Sequence, residues 1–392
     1  MNTKPHVVQV ITRFIHGGAQ EVTLLIVHRL LKEGYEVTLA HGPGDESLLK
    51  RLPRENPHFH DFYVPEFRRR ILPHWDFLAF LRIYRYLKKH RVQLVHTHTS
   101  KAGILGRWAA KLAGVPVIIH SPRGSIYHET YFSEPVLKFF AWLERQVSRF
   151  THKIITLNES EKADYIRYKI APPSKFTTIY SGIEVKRYLH PAWSSVQGRQ
   201  SLGISEGIPL IGYIARMTPE KGHSLCLKAF KRVLQRFPES KLVFIGNGPL
   251  EADIRSETKA LGLDSNVIFA GMKSDVENYY PMFDCCVQTS LWDGLPRAMV
   301  EALVAKRPMV ATAVGGISEL LIHEKTGFVV PPKDEKAIAE RVCQLLENPE
   351  LAKQFGERAS KHMQEVFNVD VSVEKLFSLY EAMIMKETRG SH

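Results

Sequence analysis

Short apolar runs alternate with amphipathic segments along this chain of 392 residues, and this alternation limits the possible folds more than any other feature. Residues 6–12 and 35–41 have the length and composition of buried strands. Residues 17–34 between them have the apolar spacing of a helix that ends at Gly34. Strand–helix–strand repeats of this kind predict a doubly wound parallel sheet.

The alternation lapses over residues 184–206, which are polar and lack a clear period, and restarts at residues 209–215. A chain of this length is also too long for one ordinary hydrophobic core. We therefore predict an α/β protein of two Rossmann-like domains, residues 1–190 and 191–365, that face a central cleft, followed by residues 366–392. Because parallel sheets bind ligands at the carboxyl ends of their strands, the cleft is the expected site.

The formal net charge of +12 is concentrated in the N-terminal half of the chain. Residues 1–190 hold 29 Lys and Arg against 16 Asp and Glu, whereas the remaining residues hold 24 against 25. Such asymmetry indicates an anionic partner, although a solvated basic surface would give the same count. A membrane surface or a phosphorylated acceptor fits. We do not expect nucleic acid, because the basic residues belong to no recognisable reader motif.

Residues 67–90 combine a basic cluster with apolar residues at helical spacing, namely Phe77, Phe80, Leu81, Tyr84 and Leu87. A basic amphipathic helix can lie on an anionic bilayer, and an ordinary helix packed on a sheet has the same pattern. No run approaches the roughly 18 apolar residues of a membrane span, and the N-terminus lacks the apolar core of a signal peptide. We expect a cytoplasmic protein that is peripheral at the inner face of the cell membrane.

The stretch from residue 290 to residue 319 carries the strongest chemical signal. A turn containing Gly294 and Leu295 separates the carboxylates of Asp293 and Glu301. Gly and Pro break the chain there, just before a helix predicted for residues 297–305. Free N–H groups at such a helix start attract phosphate, and carboxylates accept hydrogen bonds from sugar and ribose hydroxyls. This combination is typical of a nucleotide-sugar site.

Arg216 and Lys221 follow the strand predicted for residues 209–215. Two cations at a strand end can neutralise a departing diphosphate, Arg as a bidentate fork and Lys as a point charge. A solvated loop at a domain rim would contain the same residue types without any ligand. The carboxylate and glycine loop further along the chain favours the diphosphate interpretation.

Glycines and one lysine mark further strand ends. Gly17 and Gly18 open the first helix, where backbone N–H groups can approach a phosphate closely. Their spacing is not GxGxxG, so we expect no dinucleotide or other cofactor. Gly246 and Gly248 follow a second strand and Lys273 follows a third. The backbone at these positions could contact a nucleotide or only a neighbouring element.

His96 and His98 end a predicted strand, and alternation places them on the same face. A third ligand at suitable spacing is missing, so we expect polar groups lining the cleft rather than a metal site. His120 and Arg123 follow the next strand, where a cation beside aromatic residues suits a phosphate next to a sugar or lipid. The four cysteines form no CxxC pair, and we expect buried free thiols.

Taken together, these motifs resemble the family-4 retaining glycosyltransferases of the GT-B fold. The resemblance covers nearly the whole chain and is closest to bacterial enzymes that extend lipid-linked or surface polysaccharide chains. It rests on GGAQ (17–20), HTHTSKAGILGRWAAKLAGVPVIIHS (96–121), ARMTPEKG (215–222), IGNGP (245–249), FAGMKSDV (269–276) and WDGLPRAMVEALVAKRPMVATAVGGISELL (292–321).

The resemblance implies an acceptor-binding N-terminal domain, a donor-binding C-terminal domain, and a last helix that packs back on the N-terminal domain before a disordered tail. It also implies that Arg216 and Lys221 hold the donor diphosphate. Glu301 would accept from the ribose hydroxyls, and Asp293 would hold hydroxyls of the transferred sugar. Backbone groups would complete the donor site at Gly17, Gly18, Gly294 and Leu295.

Two residues depart from the family pattern. Asp293 stands where the family usually has Glu, so its reach is shorter by one methylene. Arg123 stands where the family usually has a His that contacts the donor sugar. Arginine stays protonated and cannot act as a base. It can stabilise phosphate charge instead, or His96, His98 or His120 takes over the role of the missing histidine.

The sequence therefore predicts a retaining hexosyltransferase that moves a sugar from a nucleotide diphosphate sugar, UDP-linked in the simplest case, to a hydroxyl of a lipid-linked or saccharide acceptor. Such an enzyme would serve cell-surface glycan synthesis. The chain has no DxD motif, so a divalent metal is not required. Two alternatives remain: a degenerate transferase that acts as a binding or scaffold subunit, and a nucleotide-sugar epimerase.

Overall fold

The computed structural model describes residues 4–15, 17–68, 70–127 and 132–390, with side chains as far as residue 387. The chain divides into two compact units. Unit 1 comprises Met1–Ser181 together with Ser372–His392, and unit 2 comprises Gly182–Val371.

Within the described residues, unit 1 contains a parallel sheet of seven strands in the order β3-β2-β1-β4-β5-β6-β7. The strands are β1 (His6–Ile11), β2 (Glu36–His41), β3 (Phe59–Tyr63), β4 (Leu94–His98), β5 (Val117–Ser121), β6 (Lys153–Thr156) and β7 (Phe176–Thr178). The helices between them are α1 (Gly18–Lys32), α2 (Glu46–Leu49), α3 (Pro73–Lys89), α4 (Ser100–Ala113), α5 (Glu134–Ser148) and α6 (Glu159–Arg167).

Unit 2 repeats the architecture with six described parallel strands in the order β10-β9-β8-β11-β12-β13. Two short helices lead into it, α7 (Val185–Leu189) and α8 (Ser195–Ser201). The strands are β8 (Leu210–Ile214), β9 (Lys241–Ile245), β10 (Val267–Gly271), β11 (Cys285–Gln288), β12 (Met309–Thr312) and β13 (Phe328–Val330). The remaining helices of unit 2 are α9 (His223–Val233), α10 (Glu251–Ala260), α11 (Arg297–Val304), α12 (Ile317–Leu320), α13 (Glu335–Glu347) and α14 (Pro349–Val366). Helix α15 (Val369–Gly390) begins in unit 2 and lies mostly in unit 1.

Helices cover both faces of the unit 1 sheet, which explains why its strands read as continuous apolar runs. Val7 and Ile11 of β1 point to the face that α1 covers. Leu376 and Tyr380 of α15 are buried on that same face. Val8 belongs to a second apolar cluster, which α3 and α4 cover on the opposite face. Two Rossmann-like units with parallel sheets confirm the predicted fold class.

Two details differ from the sequence-based expectation. Residues 184–206 contain α7 and α8, although their pattern lacks a clear period. Ser194 accepts a hydrogen bond from the N–H of Gln197, and the Gln197 side chain accepts from the N–H of Ser194. This capping box was a signal for α8. In addition, α15 continues to Gly390, and residues 391–392 lie outside the described residues.

Each sheet has one point where the strand order reverses. It lies between β1 and β4 in unit 1 and between β8 and β11 in unit 2. Open α/β sheets bind ligands beside the carboxyl ends of the strands at such a point. The loops that follow these four strands carry predicted site residues: Gly17 and Gly18 after β1, His96 and His98 at the end of β4, Arg216 and Lys221 after β8, and Asp293 after β11.

Candidate active site

The loops after β8 and β11 are bonded directly to each other in unit 2. Gly222 has φ +66, and a Cβ there would lie 2.2 Å from the carbonyl oxygen of Thr289. The Thr289 hydroxyl donates to the carbonyl of Gly222 at 2.9 Å. The N–H of Leu291 donates to the carbonyl of Glu220 at 2.8 Å. Only glycine fits this approach, so Gly222 fixes the position of the preceding Lys221.

Lys221 and Asp293 form a close ion pair at the centre of these loops. The Nζ of Lys221 donates to Oδ2 of Asp293 at 2.5 Å. The same oxygen accepts from the Ser290 hydroxyl at 3.2 Å and from Nε2 of Gln288 at 3.5 Å. Asp293 is buried, and the Lys221 side chain is only 16% exposed. The structure thus brings together one predicted cation and one predicted carboxylate.

A glycine turn supports the backbone of Asp293. Gly315 has φ +52, and a Cβ at this position would lie 1.8 Å from the carbonyl oxygen of Asp293. The N–H of Gly316 donates to that oxygen at 3.2 Å. The loop that carries Asp293 is therefore held from the β12 side as well. Any side chain at Gly315 would displace it.

Arg216 is placed differently from Lys221. Its side chain is 77% exposed, and its guanidinium lies 3.8 Å from the carboxylate of Glu220. An exposed pair at this distance holds a side chain weakly. Arg216 is thus near the same loop but is not fixed against Asp293.

Glu301 lies in the second turn of α11 and is buried among its own partners. Arg297 Nε donates to Oε1 at 3.0 Å, and the Tyr280 hydroxyl donates to Oε2 at 3.0 Å. Burial, and next the charge of Glu301, raises the pKa of Tyr280 and of Tyr188. Burial acts to lower the pKa of Arg297, but the charge of Glu301 outweighs it and raises that pKa. Glu301 is therefore a paired carboxylate in this structure.

The remaining predicted site residues of unit 2 lie in the loops after its other strands and before α11. A Cβ at Gly246 would lie 2.1 Å from the carbonyl oxygen of Ala215, and one at Gly248 would lie 2.4 Å from that of Met217. These glycines therefore allow the loop after β9 to lie directly against the loop after β8. Lys273 lies over the ring of Tyr279 at 5.3 Å. Gly294 and Leu295 precede Pro296, the N-cap of α11, so the positive end of that helix faces their loop.

At the strand ends of unit 1, five side chains form one hydrogen-bonded network. Gln9 Nε2 donates to the Tyr380 hydroxyl at 3.1 Å, and this hydroxyl lies 2.5 Å from Nδ1 of His96. His98 Nε2 lies 2.7 Å from Oε1 of Gln9, which can only accept. His98 therefore carries its proton on Nε2, and its Nδ1 accepts from Arg123 Nε at 3.3 Å.

Burial determines the protonation of this network. Burial first, and then the positive charges around them, hold the pKa of His96 and His98 well below the ordinary value. Both rings are neutral at physiological pH as a result. Burial lowers the pKa of Arg123 to about 10, so the guanidinium stays charged. It also donates to the Ser181 hydroxyl at 3.3 Å.

Arg123 adopts φ +65, a left-handed conformation that is uncommon for a residue with a side chain. Glu161 stabilises this turn: its Oε1 accepts from the N–H of Gly124 at 2.7 Å and its Oε2 from that of Leu157 at 2.6 Å. Burial raises the pKa of Glu161 to about 7 in spite of these bonds. No pattern in the sequence indicated this role for Glu161.

His120 and the first glycines lie apart from this network. The Nδ1 of His120 contacts the Thr97 hydroxyl at 2.9 Å, and a Cβ on Gly103 would lie 2.4 Å from its ring. His120 therefore packs against α4, and its hydrogen bonds in the described structure go to Thr97. Gly17 precedes α1, and a Cβ on Gly18 would meet no atom within 4 Å. The space around Gly18 is open in the described part of the structure.

Comparison with known protein families identifies the chain. Residues 16–187 match the family described as glycosyltransferase family 4. Residues 197–362 match the glycosyl transferases group 1. The two matches together span most of the chain. The chain is a glycosyltransferase whose N-terminal half matches family 4.

Individual relatives of this glycosyltransferase agree with the family assignment. It is 26% identical over 377 residues to the Escherichia coli UDP-Gal:alpha-D-GlcNAc-diphosphoundecaprenol alpha-1,3-galactosyltransferase, covering 95% of both chains. It is 26% identical over 368 residues to the capsular polysaccharide biosynthesis glycosyltransferase CapM of Staphylococcus aureus, covering 92% of this chain and 93% of that one.

A solved structure supports the GT-B fold. The crystal structure of Anabaena HepE (Alr3699) in complex with UDP-glucose has a TM-score of 0.81 and 19% identity. The similarity covers 96% of this chain and 99% of that one.

Three further properties of this glycosyltransferase concern metals, cysteines and membrane spans. Among the described residues, no group of three His, Cys, Asp or Glu side chains could hold a metal ion. All four cysteines are buried free thiols, as predicted. The helices in the described part of the chain are too short or too polar to cross a bilayer.

Proposed function

We propose that this glycosyltransferase retains the anomeric configuration of a hexose that it moves from a UDP-sugar to a hydroxyl of a lipid-linked or saccharide acceptor in cell-surface glycan synthesis. The observation that carries the proposal is the ion pair of Lys221 and Asp293. It lies in the loops after β8 and β11, where the strand order of the sheet reverses. The activities for which the relatives are named support the substrate class. One names UDP-Gal and a diphosphoundecaprenol acceptor, and HepE binds UDP-glucose.

In this proposal unit 2 binds the donor and unit 1 binds the acceptor. Lys221 places a fixed charge beside the departing diphosphate, and the exposed Arg216 can turn towards it. The backbone at Gly294 and Leu295, ahead of the positive end of α11, adds to the same attraction. Preorganised groups that stabilise developing charge are the main source of catalysis for such a reaction.

Asp293 accepts hydrogen bonds from hydroxyls of the transferred sugar, and its ion pair with Lys221 orients its carboxylate. Because these residues supply the positive charge, the reaction needs no divalent metal and no cofactor. The basic unit 1 attracts the phosphates of a lipid-linked acceptor or of a membrane surface. The enzyme then acts in the cytoplasm, peripheral to the inner face of the cell membrane.

The test is nucleotide release from a panel of nucleotide sugars, with and without an undecaprenyl diphosphate-linked sugar as acceptor. We expect release of UDP that depends on the acceptor, is insensitive to EDTA, and gives a product with the anomeric configuration of the donor. Release without any acceptor and with an altered free sugar would indicate an epimerase. Tight donor binding without turnover would indicate a scaffold subunit.

A matched pair of lysine variants links the reaction to the site. Lys221→Met keeps the length of the side chain but removes its charge, so we expect turnover to fall by about 10²–10³-fold. Lys228→Met removes an exposed lysine of α9 and should leave turnover unchanged. Equal turnover of both variants would refute the assigned role of Lys221.

A further inference from the structure

Helix α5 has apolar side chains on two sides, and only one of these sides packs in the core of unit 1. Leu137, Ala141 and Val147 are buried in the inner side. Val136 and Phe139 lie on the other side and are exposed. A helix of a globular domain needs only one apolar stripe to pack. The second stripe therefore requires an explanation outside the fold of this unit.

The exposed stripe is large and aromatic. Phe139 is 56% exposed and Trp142 is 50% exposed, and their rings stack at 6.2 Å. The neighbouring helix α4 adds two more exposed apolar side chains, and a bidentate ion pair between Arg107 and Glu144 joins the two helices at 2.7–2.8 Å. We call the exposed set the aromatic face: Trp108, Leu112, Phe132, Val136, Phe139 and Trp142.

The charges around the aromatic face are almost all positive. Lys138 and Arg145 lie one turn before and one turn after Trp142, and both are exposed. Lys111 of α4 and Arg149 at the end of α5 are exposed as well. Glu134 is the one exposed acid of the described residues 100–113 and 132–149, since the only other acid there is the buried partner of Arg107.

We propose that the aromatic face docks on an anionic lipid bilayer, a partner that rests on the proposed function with its lipid-linked acceptor. Trp and Phe favour the boundary between headgroups and acyl chains, and Lys and Arg beside them reach the lipid phosphates. A helix with one such side lies in the plane of the interface. The bilayer therefore covers the stripe of α5 that the protein leaves open.

Charge argues against a second copy of the chain as the occupant. A symmetric dimer would pair the aromatic face with itself, and thereby place two sets of cations against each other. Helix α3, the helix that the sequence indicated for this role, is a weaker candidate. Ala79, Ile83 and Leu87 of α3 are buried in the core, and its exposed apolar residues are confined to its first turns.

The experiment is co-sedimentation of the full chain with vesicles of phosphatidylcholine, with or without phosphatidylglycerol. Phe139→Ser combined with Trp142→Ser removes the centre of the aromatic face. Phe77→Ser combined with Leu78→Ser on α3 is the matched control, because these residues are 59% and 47% exposed. We expect partition to anionic vesicles to fall about tenfold or more for the first variant and less than about twofold for the control.

A charge pair provides a second measurement. Each cation should contribute about fivefold to binding on anionic vesicles. Because Lys138 is already paired with Glu134 at 3.5 Å, Lys138→Gln combined with Arg145→Gln should weaken binding only about tenfold. Lys88→Gln with Lys89→Gln on α3 should have a much smaller effect. The midpoint of thermal unfolding should be unchanged in all four variants. Vesicle binding and unfolding are both measured without substrate, so the test does not depend on the proposed activity.

Three results would overturn the proposal. One is a wild-type chain that does not bind anionic vesicles. Another is equal loss of binding in the α5 and α3 variants, which would assign the lipid contact to the basic half as a whole. The third is a wild-type dimer in light scattering that the Phe139 and Trp142 variant converts to a monomer, because the face would then be an interface between copies.

Discussion

The two units place polar side chains at the same point of their sheets but manage charge in opposite ways. In unit 2, Lys221 meets Asp293 at 2.5 Å, so cation and carboxylate compensate each other. In unit 1, Arg123 donates to neutral His98, and the network behind it is built from neutral groups as far as Tyr380. Unit 2 therefore contains a charge-balanced ion pair, whereas the Arg123 guanidinium of unit 1 is hydrogen-bonded to an uncharged histidine.

This difference indicates how each site responds to a ligand. A diphosphate that approaches Lys221 competes with a carboxylate that is already bound, so binding must rearrange the pair or share the lysine. An anion that approaches Arg123 meets a charge whose hydrogen-bond partners, His98 and Ser181, are uncharged, although the acidic side chain of Glu161 also interacts with it. We therefore expect an anion to bind at Arg123 without displacing a carboxylate that is bonded to it.

The largest effect should come from breaking the balanced pair of unit 2. Asp293→Asn leaves Lys221 without its counter-charge and gives the sugar hydroxyls an amide in place of a carboxylate. We expect the turnover number for sugar transfer to fall by about 10²–10³-fold. Because a mostly buried lysine loses its counter-charge, the variant should also lose thermal stability, so turnover is compared at a temperature at which both proteins are folded.

The control for this variant is Asp253→Asn, which changes an exposed carboxylate on α10. It should leave turnover intact. If Asp293→Asn turned over as fast as the wild type, Asp293 would be a support for Lys221 and not a substrate ligand.

Sequence patterns predicted the local parts of this arrangement. The helix expected at residues 297–305 is α11, because Gly294 and Pro296 interrupt the chain just before it. The strand ends that carry Lys221 and Asp293 could be predicted, since each follows a short buried run. Which strands are neighbours could not be read in the same way, because the order β8-β11 is set by tertiary packing.

The partners that lie far apart in the chain could not be predicted. His96 bonds to Tyr380 across 284 positions of sequence, and no periodicity reports such a contact. The hydrogen bond from the Tyr280 hydroxyl to Glu301 also joins residues that no sequence period relates. The departure at Arg123 was visible in the sequence, but its left-handed backbone depends on Glu161, whose side chain reaches back to Gly124.

Buried histidines extend the comparison between the units. His96 and His98 have partners on their ring nitrogens, whereas both nitrogens of His223 are buried without a hydrogen-bond partner in the described structure. The His223 ring packs on Tyr213 at 4.7 Å and on Phe244 at 5.2 Å. Burial, helped by the charge of Lys221, lowers its pKa to about 4.

The sign of the pH dependence follows from this lowered pKa. Between pH 6.5 and pH 4 the unfolded chain binds a proton at His223 that the folded chain does not, so stability is lost as the pH falls through this range. His223→Phe should remove up to about 3 kcal/mol of that loss. It should also be neutral or stabilising at pH 7, because an apolar ring replaces unpaired nitrogens.

Urea unfolding of the wild type and His223→Phe at several pH values measures this difference. The other buried histidines are present in both proteins and cancel. His28→Phe, at the surface of α1, controls for the loss of a histidine as such. Parallel acid limbs for the wild type and His223→Phe would show that His223 is protonated as easily in the folded chain as in the unfolded one.

The smallest effect should come from the neutral network of unit 1. Tyr380→Phe removes a hydroxyl that receives a hydrogen bond from Gln9 and lies 2.5 Å from His96, so two buried polar groups lose a partner. We expect a loss of about 1–3 kcal/mol in the free energy of unfolding, confined to the transition of unit 1, with sugar transfer changed less than about threefold. Tyr63→Phe on β3, which is 51% exposed, should have no measurable effect. A loss of activity in Tyr380→Phe as large as that of Asp293→Asn would contradict the comparison, because the neutral network would then set the reactivity of the enzyme and not merely the position of Arg123.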